Sequence, residues 1–126
     1  MKRTIVSILT GATLLGGITG TAFAEPNLAG QVVYGNITYY NGEGKIGADG
    51  KVLSSYDCAT KIGFDEPPAG TRIAVRNLDN NRLAFVYKWD RGSLPNAVLD
   101  VMPYVFSNIL GQDTYYGIIH GRYFHD

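Results

Sequence analysis

The sequence predicts one small, mainly β domain, a closed or nearly closed barrel of short strands with one or two short helices, behind an N-terminal export signal. Three observations carry that prediction. Runs rich in β-branched and aromatic residues recur between clusters of Gly, Asn, Asp and Pro. A single stretch late in the chain has the apolar spacing of a helix. The first residues run from positive charge through an apolar stretch to small residues, the order that export machinery and its peptidase recognise.

Lys2 and Arg3 form the basic start of that signal, and the chain from Ile5 to Ile18 holds no acidic residue. Thr21-Ala22-Phe23-Ala24 supplies a small-residue cleavage site before Glu25. The apolar run is interrupted by Gly11, Gly16 and Gly17 and is shorter than the roughly 20 residues a membrane span needs. Residues 1–24 are therefore read as signal peptide and 25–126 as a single domain, secreted to the periplasm or the exterior. No cysteine directly follows the cleavage site, so a lipid anchor of the bacterial lipoprotein type is not available and no membrane anchor remains after cleavage.

The full chain balances 11 basic against 11 acidic residues, and loss of Lys2 and Arg3 leaves the domain slightly acidic. A nucleic-acid partner would want a basic domain, so that class is excluded. Cys58 is the one cysteine, so no internal disulfide can staple the fold. It reads as a small buried hydrophobe, with a Cys58-linked dimer or a reactive thiol as the sharper alternatives to a monomer. Nine tyrosines, five phenylalanines and one tryptophan suit half-buried strand faces and amphipathic contact surfaces.

Residues 31–40 read as the first strand, with Gly35 marking a bulge. Residues 41–50 hold four glycines and read as a loop; 51–62 are compatible with a short strand or a helical turn around Cys58. Pro67-Pro68 stiffens a second loop, 63–70. Thr71–Arg76 and Arg82–Trp89 alternate across a tight Leu78–Asn81 connection, the clearest hairpin in the chain. Residues 90–95 read as a loop and 97–99 as a short strand. Val101, Met102, Val105, Phe106, Ile109 and Leu110 then lie on one face of a helix, with Asp100 where an N-cap belongs, Pro103 in the first turn and Gly111 at the end. Tyr115–Phe124 reads as the closing strand, with Gly117 and Gly121 allowing bends.

The stretch from Trp89 to Phe106 resembles the double-psi β-barrel family, which includes the rare lipoprotein A (RlpA) domain, the expansin N-terminal domain and barwin. Asp90-Arg91-Gly92 after a strand, and Leu99-Asp100 opening a short helix with a Phe beyond it, carry the likeness. Gly35-Asn36-Ile37-Thr38-Tyr39-Tyr40 looks like the family's opening strand. Gly70 to Val75 looks like its Gly-Thr strand, and Gly117 to Tyr123 like its closing strand. The resemblance implies a six-stranded double-psi β-barrel that meets extracellular or periplasmic polysaccharide. It also implies that Asp90 and Asp100 face a shared groove.

Cleaving a glycan needs a carboxyl group that delivers a proton to the leaving oxygen. Asp90 is the candidate acid and Asp100 the residue that orients substrate or shares the proton. Each has a plainer structural role open to it, Asp100 as a helix cap and Asp90 as an ion pair or turn residue. Lytic members of the family carry a His in an Ala-Ala-His-Lys stretch. The matching residues here are Cys58-Ala59-Thr60-Lys61, which puts Thr60 at the His position, and Thr cannot transfer a proton near neutral pH as imidazole does. His120 and His125 lie in the closing strand and tail, where a solvated side chain is the ordinary state. No metal-ligand spacing is present, and no cofactor is implied. Tyr39, Tyr40, Thr60, Trp89, Arg91 and Tyr104 are the candidate substrate contacts.

These readings favour an expansin-like barrel that binds cell-wall polysaccharide, peptidoglycan or a plant-type glycan, without cleaving it. A peptidoglycan lytic transglycosylase of the RlpA type is the enzymatic alternative. The third reading is a secreted protein ligand, such as a cysteine-protease inhibitor or host-directed effector, which uses the barrel to engage a secreted or host protein.

Overall fold

The computed structural model describes residues 25–126. The segment read as the export signal, 1–24, lies outside the described residues. The strands are β1 (Val32–Tyr39), β2 (Asp57–Lys61), β3 (Arg72–Asn77), β4 (Leu83–Gly92), β5 (Leu99–Val101) and β6 (Ile119–Phe124). They close into a barrel in the order β1-β5-β2-β4-β3-β6. β1–β5 and β2–β4 pair in parallel and the other neighbours antiparallel. The six-stranded, mainly β barrel expected from the sequence is the observed fold. Closure leaves none of these six strands with an open edge along which another chain could add a strand.

Alternation along the strands sorts the side chains. Val33 and Ile37 of β1, Ile73 and Val75 of β3, and Val86 of β4 point inward and are buried. Gly35 stands opposite Gly121 in an uninterrupted β1–β6 register, so the bulge expected at Gly35 is absent. The pair serves close approach instead. A Cβ on Gly35 would lie 2.7 Å from Val98, and one on Gly121 would lie 2.7 Å from the Arg76 carbonyl.

Beyond a closing strand that begins at Ile119 rather than Tyr115, behind a 3-10 turn over Thr114–Tyr116, three elements depart from the sequence reading. Asp90–Gly92, expected in a loop, are the last residues of β4. The register slips between Cys58 and Ala59, so that Cys58 faces Lys88 while Ala59 faces Asp90, and Trp89 is the extra residue of a bulge. Asp100 is not a helix cap but the centre of β5, flanked by β1 and β2. That pairing holds Val101 extended, and the helical stretch begins only at Pro103. It is dominated by a π turn, Val105–Ile109, which buries Val105 and Phe106 against the barrel and gives way to Gly111 at φ 74°. The side chains of Asn77 and Asn80 both donate to the Leu110 carbonyl, at 2.8 and 2.9 Å, so the β3–β4 hairpin caps this turn.

The third departure is the tail. His125 is buried, not solvated. Its Nε2 lies 2.9 Å from Asp65 Oδ2, which also accepts from the Tyr123 hydroxyl at 2.7 Å, while Asp65 Oδ1 accepts from the Leu28 amide at 2.8 Å. One buried carboxylate therefore fastens the chain on both sides of the barrel strands to the 63–70 loop. Burial alone would raise Asp65, but the bonds from His125, Leu28 and Tyr123 outweigh it and hold the carboxyl below its ordinary value. Burial would lower His125, and the bond to Asp65 reverses that and holds the imidazole above its ordinary value.

Candidate functional site

The bulge at Trp89 decides what shares a face with what. A one-residue slip in a strand moves the following side chains to the opposite face. Asp90 thereby joins a rung that runs Thr38–Asp100–Ala59–Asp90 across β1, β5, β2 and β4. The two aspartates flank Ala59, two strand spacings or about 10 Å apart at their Cα atoms. The adjacent rung, Ile37–Leu99–Thr60, faces the barrel interior.

Asp100 borders a hollow of about 400 Å³ lined by Thr38 and the loop from Gly92 to Ala97. Thr38 Oγ1 donates to Asp100 Oδ1 at 3.0 Å. Burial pushes the Asp100 carboxyl up to about 6, the Thr38 bond works against that, and the negative charge of Asp90 adds to it. Leu94 in the loop has φ 40°, a left-handed conformation that a branched side chain rarely adopts, so the rim over Asp100 is held in strain.

Asp90 is committed elsewhere. Its Oδ2 accepts from the Tyr40 hydroxyl at 2.9 Å and its Oδ1 from the Ala48 amide at 2.8 Å. The carboxylate thus ties β4 to both ends of the 41–50 loop. Burial and this bond raise the Tyr40 hydroxyl well above its ordinary value, so Tyr40 stays a donor. Asp49 of the same loop lies 2.8 Å from Lys88 Nζ and 3.6 Å from Arg91 Nη1. Lys88 is buried, so its charge requires that partner.

The remaining candidates are spread out. Tyr39 packs on Phe106 with ring centroids 4.9 Å apart and donates to the Thr114 carbonyl at 3.1 Å. Thr60 is fully buried in the barrel interior, and its Oγ1 has no hydrogen-bond partner among the described residues. It stands on the opposite face from Asp90 and Asp100. The half-buried Trp89 ring covers Gly70, where a Cβ would come within 3.2 Å of it. Tyr104 is exposed and meets Tyr56 edge-on at 6.0 Å. Asp90, Asp100 and Tyr40 therefore gather at one place, Trp89 and Arg91 adjoin them through the bulge, and Tyr39, Thr60 and Tyr104 serve other surroundings. Cys58 is fully buried, and burial followed by the Asp57 charge raises its thiol. A Cys58-linked dimer would require the barrel to open.

Sequence reasoning missed Thr38, Asp49 and Lys88. Lys88 had a signal: it continues the inward positions of Ala84 and Val86, and a lysine there demands a buried carboxylate.

Chemically, the arrangement offers one carboxyl able to exchange a proton near pH 6, beside an open hollow. No family model matches the chain. The uncharacterized protein YdjM of Bacillus subtilis (strain 168) is 44% identical over 117 residues, covering 92% of this chain and 94% of that protein. The chain belongs to the YdjM family. Among solved structures, the Streptomyces papain inhibitor superposes with a TM-score of 0.60 at 20% identity, over 77% of this chain and 94% of the inhibitor. At that identity the likeness shows the fold, a barrel that this YdjM-family chain shares.

Proposed function

We propose that this protein is a binding barrel of the secreted kind that engages a protein partner rather than cleaving a polymer. The observation that carries the reading is the state of Asp90. Both of its oxygens are taken, by Tyr40 and by Ala48, so it holds the 41–50 loop in place and does not stand free as the acid of a pair. The loop it holds carries exposed Ile46, which faces exposed Val52, and elsewhere exposed Tyr56 meets exposed Tyr104 edge-on. The fold is that of a papain inhibitor, which makes a cysteine protease of the papain class the first partner to try. In a titration of papain with residues 25–126, residual activity is expected to fall in proportion to added protein. Undiminished activity at large excess would reject that partner.

The second reading keeps the hollow beside Asp100 for cell-wall polysaccharide, in the manner of an expansin-like barrel. What favours it is an open hollow with hydroxyl and carboxyl groups under a strained rim. Co-sedimentation with insoluble peptidoglycan that weakens in Asp100→Asn, without released fragments, would support it. Released fragments would instead favour a lytic transglycosylase.

A further inference from the structure

The outer face of β1, β6, β3 and β4 lies apart from the Asp90–Asp100 rung, and neither reading above uses it. Its registers align two rungs. Val32–Phe124–Ala74–Phe85 is apolar, and Tyr34–Arg122–Arg76–Leu83 carries two arginines side by side. A third arginine, Arg72, faces Tyr87 on the far side of the apolar rung, its guanidinium 4.7 Å above the Phe85 ring. No acidic residue stands on either rung, and Asp126 borders only the Arg72 end. Among the described residues none of the three arginines has a salt bridge: Arg76 donates to the Asn81 carbonyl at 2.7 Å, and Arg122 lies 3.4 Å from the Tyr34 hydroxyl. In a domain with a slight acidic excess, this is a local concentration of unpaired positive charge.

The small side chain of Ala74 leaves a hollow on each side, of about 180 Å³ toward Arg72 and about 230 Å³ toward Arg76 and Arg122. Phe124 walls both. Exposed Val32, Phe85 and Leu83 complete an apolar surface that water covers in the free protein.

We propose that this face binds an extended, acidic peptide segment of a protein partner, with the pattern acidic-x-apolar-x-acidic. The spacing follows from the strand. Arg72 and Arg76 are four residues apart on β3, about 13 Å, which is the span of four residues in an extended peptide. A peptide lying along β3 places one carboxylate at Arg72, an apolar side chain in the hollow at Ala74, and a second carboxylate at the Arg76–Arg122 pair. A phosphate polymer would satisfy the arginines but leave the apolar hollows unfilled. The inference rests on the protein-partner reading and names the face and the chemistry it would use.

The test uses residues 25–126 labelled with ¹⁵N and the peptide Glu-Ser-Leu-Ser-Glu at millimolar concentration, followed by amide chemical shifts. The expected result is a saturable shift set centred on the amides of Ala74, Phe85, Arg122 and Phe124. Affinity should fall at least tenfold for Gln-Ser-Leu-Ser-Gln, for Glu-Ser-Ser-Ser-Glu, and at raised salt. Arg72→Gln/Arg122→Gln, which spares the Arg76 contact with the turn, should weaken binding to the same degree while keeping the wild-type spectral dispersion. No saturable shifts, shifts centred on other residues, or equal binding of the glutamine peptide would overturn the proposal. So would sedimentation with phosphatidylglycerol vesicles in the absence of peptide shifts. Papain inhibition by the unsubstituted protein separates the two levels. Inhibition without peptide shifts rejects this face and leaves the protein-partner reading standing, and absence of both rejects both.

Discussion

Asp100→Asn should make the protein more stable at pH 8 and leave it nearly unchanged at pH 4. A carboxyl that titrates at about 6 in the fold and at 3.8 in the unfolded chain binds its proton more tightly when folded. Its ionisation therefore opposes folding. The penalty is absent below 3.8, grows as pH rises toward 6, and is complete above it. A difference of that size corresponds to about 3 kcal/mol without screening. Solvent reaches the half-buried carboxyl from the hollow, which reduces the expected gain to about 1–2 kcal/mol. Asparagine keeps an oxygen for the Thr38 hydroxyl and a similar shape, so packing changes little. Urea unfolding is the assay, and at an m-value of about 1.5 kcal/mol/M the midpoint at pH 8 should rise by about 1 M. A variant no more stable than wild type at pH 8, or equally stabilised at pH 4 and 8, would refute the assignment of the penalty to this charge.

Thr60→Val should stabilise the barrel by about 1 kcal/mol in the same assay, because it removes a buried hydroxyl that has no partner; a loss of stability would mean that the hydroxyl is satisfied. Gly121→Ala should cost about 1–3 kcal/mol, since the new Cβ meets the Arg76 carbonyl and Ile37 across the sheet, and a neutral effect would show that β3 yields readily. Asp65→Asn should remove a pH-bounded contribution read from thermal unfolding. Raised His125 contributes fully below about 6.5 and loses its share as pH rises through its folded value, while lowered Asp65 contributes above about 3.8 and loses its share as pH falls. The variant should therefore lose most stability between about pH 4 and 6.5, and a loss uniform across pH would contradict the ionic account.

Local rules were sufficient where local forces decide. The β3–β4 hairpin was legible because alternation runs unbroken on both sides of a turn whose Asn81 takes φ 67°, a conformation asparagine tolerates. The barrel was legible from strand count and the family resemblance. Asp100 was misplaced because helical periodicity in 101–110 is real, yet pairing with β1 and β2 claims the first residues of that pattern. Tertiary pairing outweighed a cap worth about 1 kcal/mol. The fate of Asp90 depended on a bulge, which shifts faces without leaving a composition signal in the strand. His125 depends on an aspartate 60 residues away, a distance over which sequence pattern carries nothing.

The proposed protein-binding role of the barrel, without cleavage of a polymer, is tested most directly by calorimetric titration of papain with residues 25–126. Saturable heat with one-to-one stoichiometry, unaffected by Asp100→Asn, is the expected result. Absence of heat with papain, together with soluble fragments released from peptidoglycan and lost in Asp100→Asn, would contradict it.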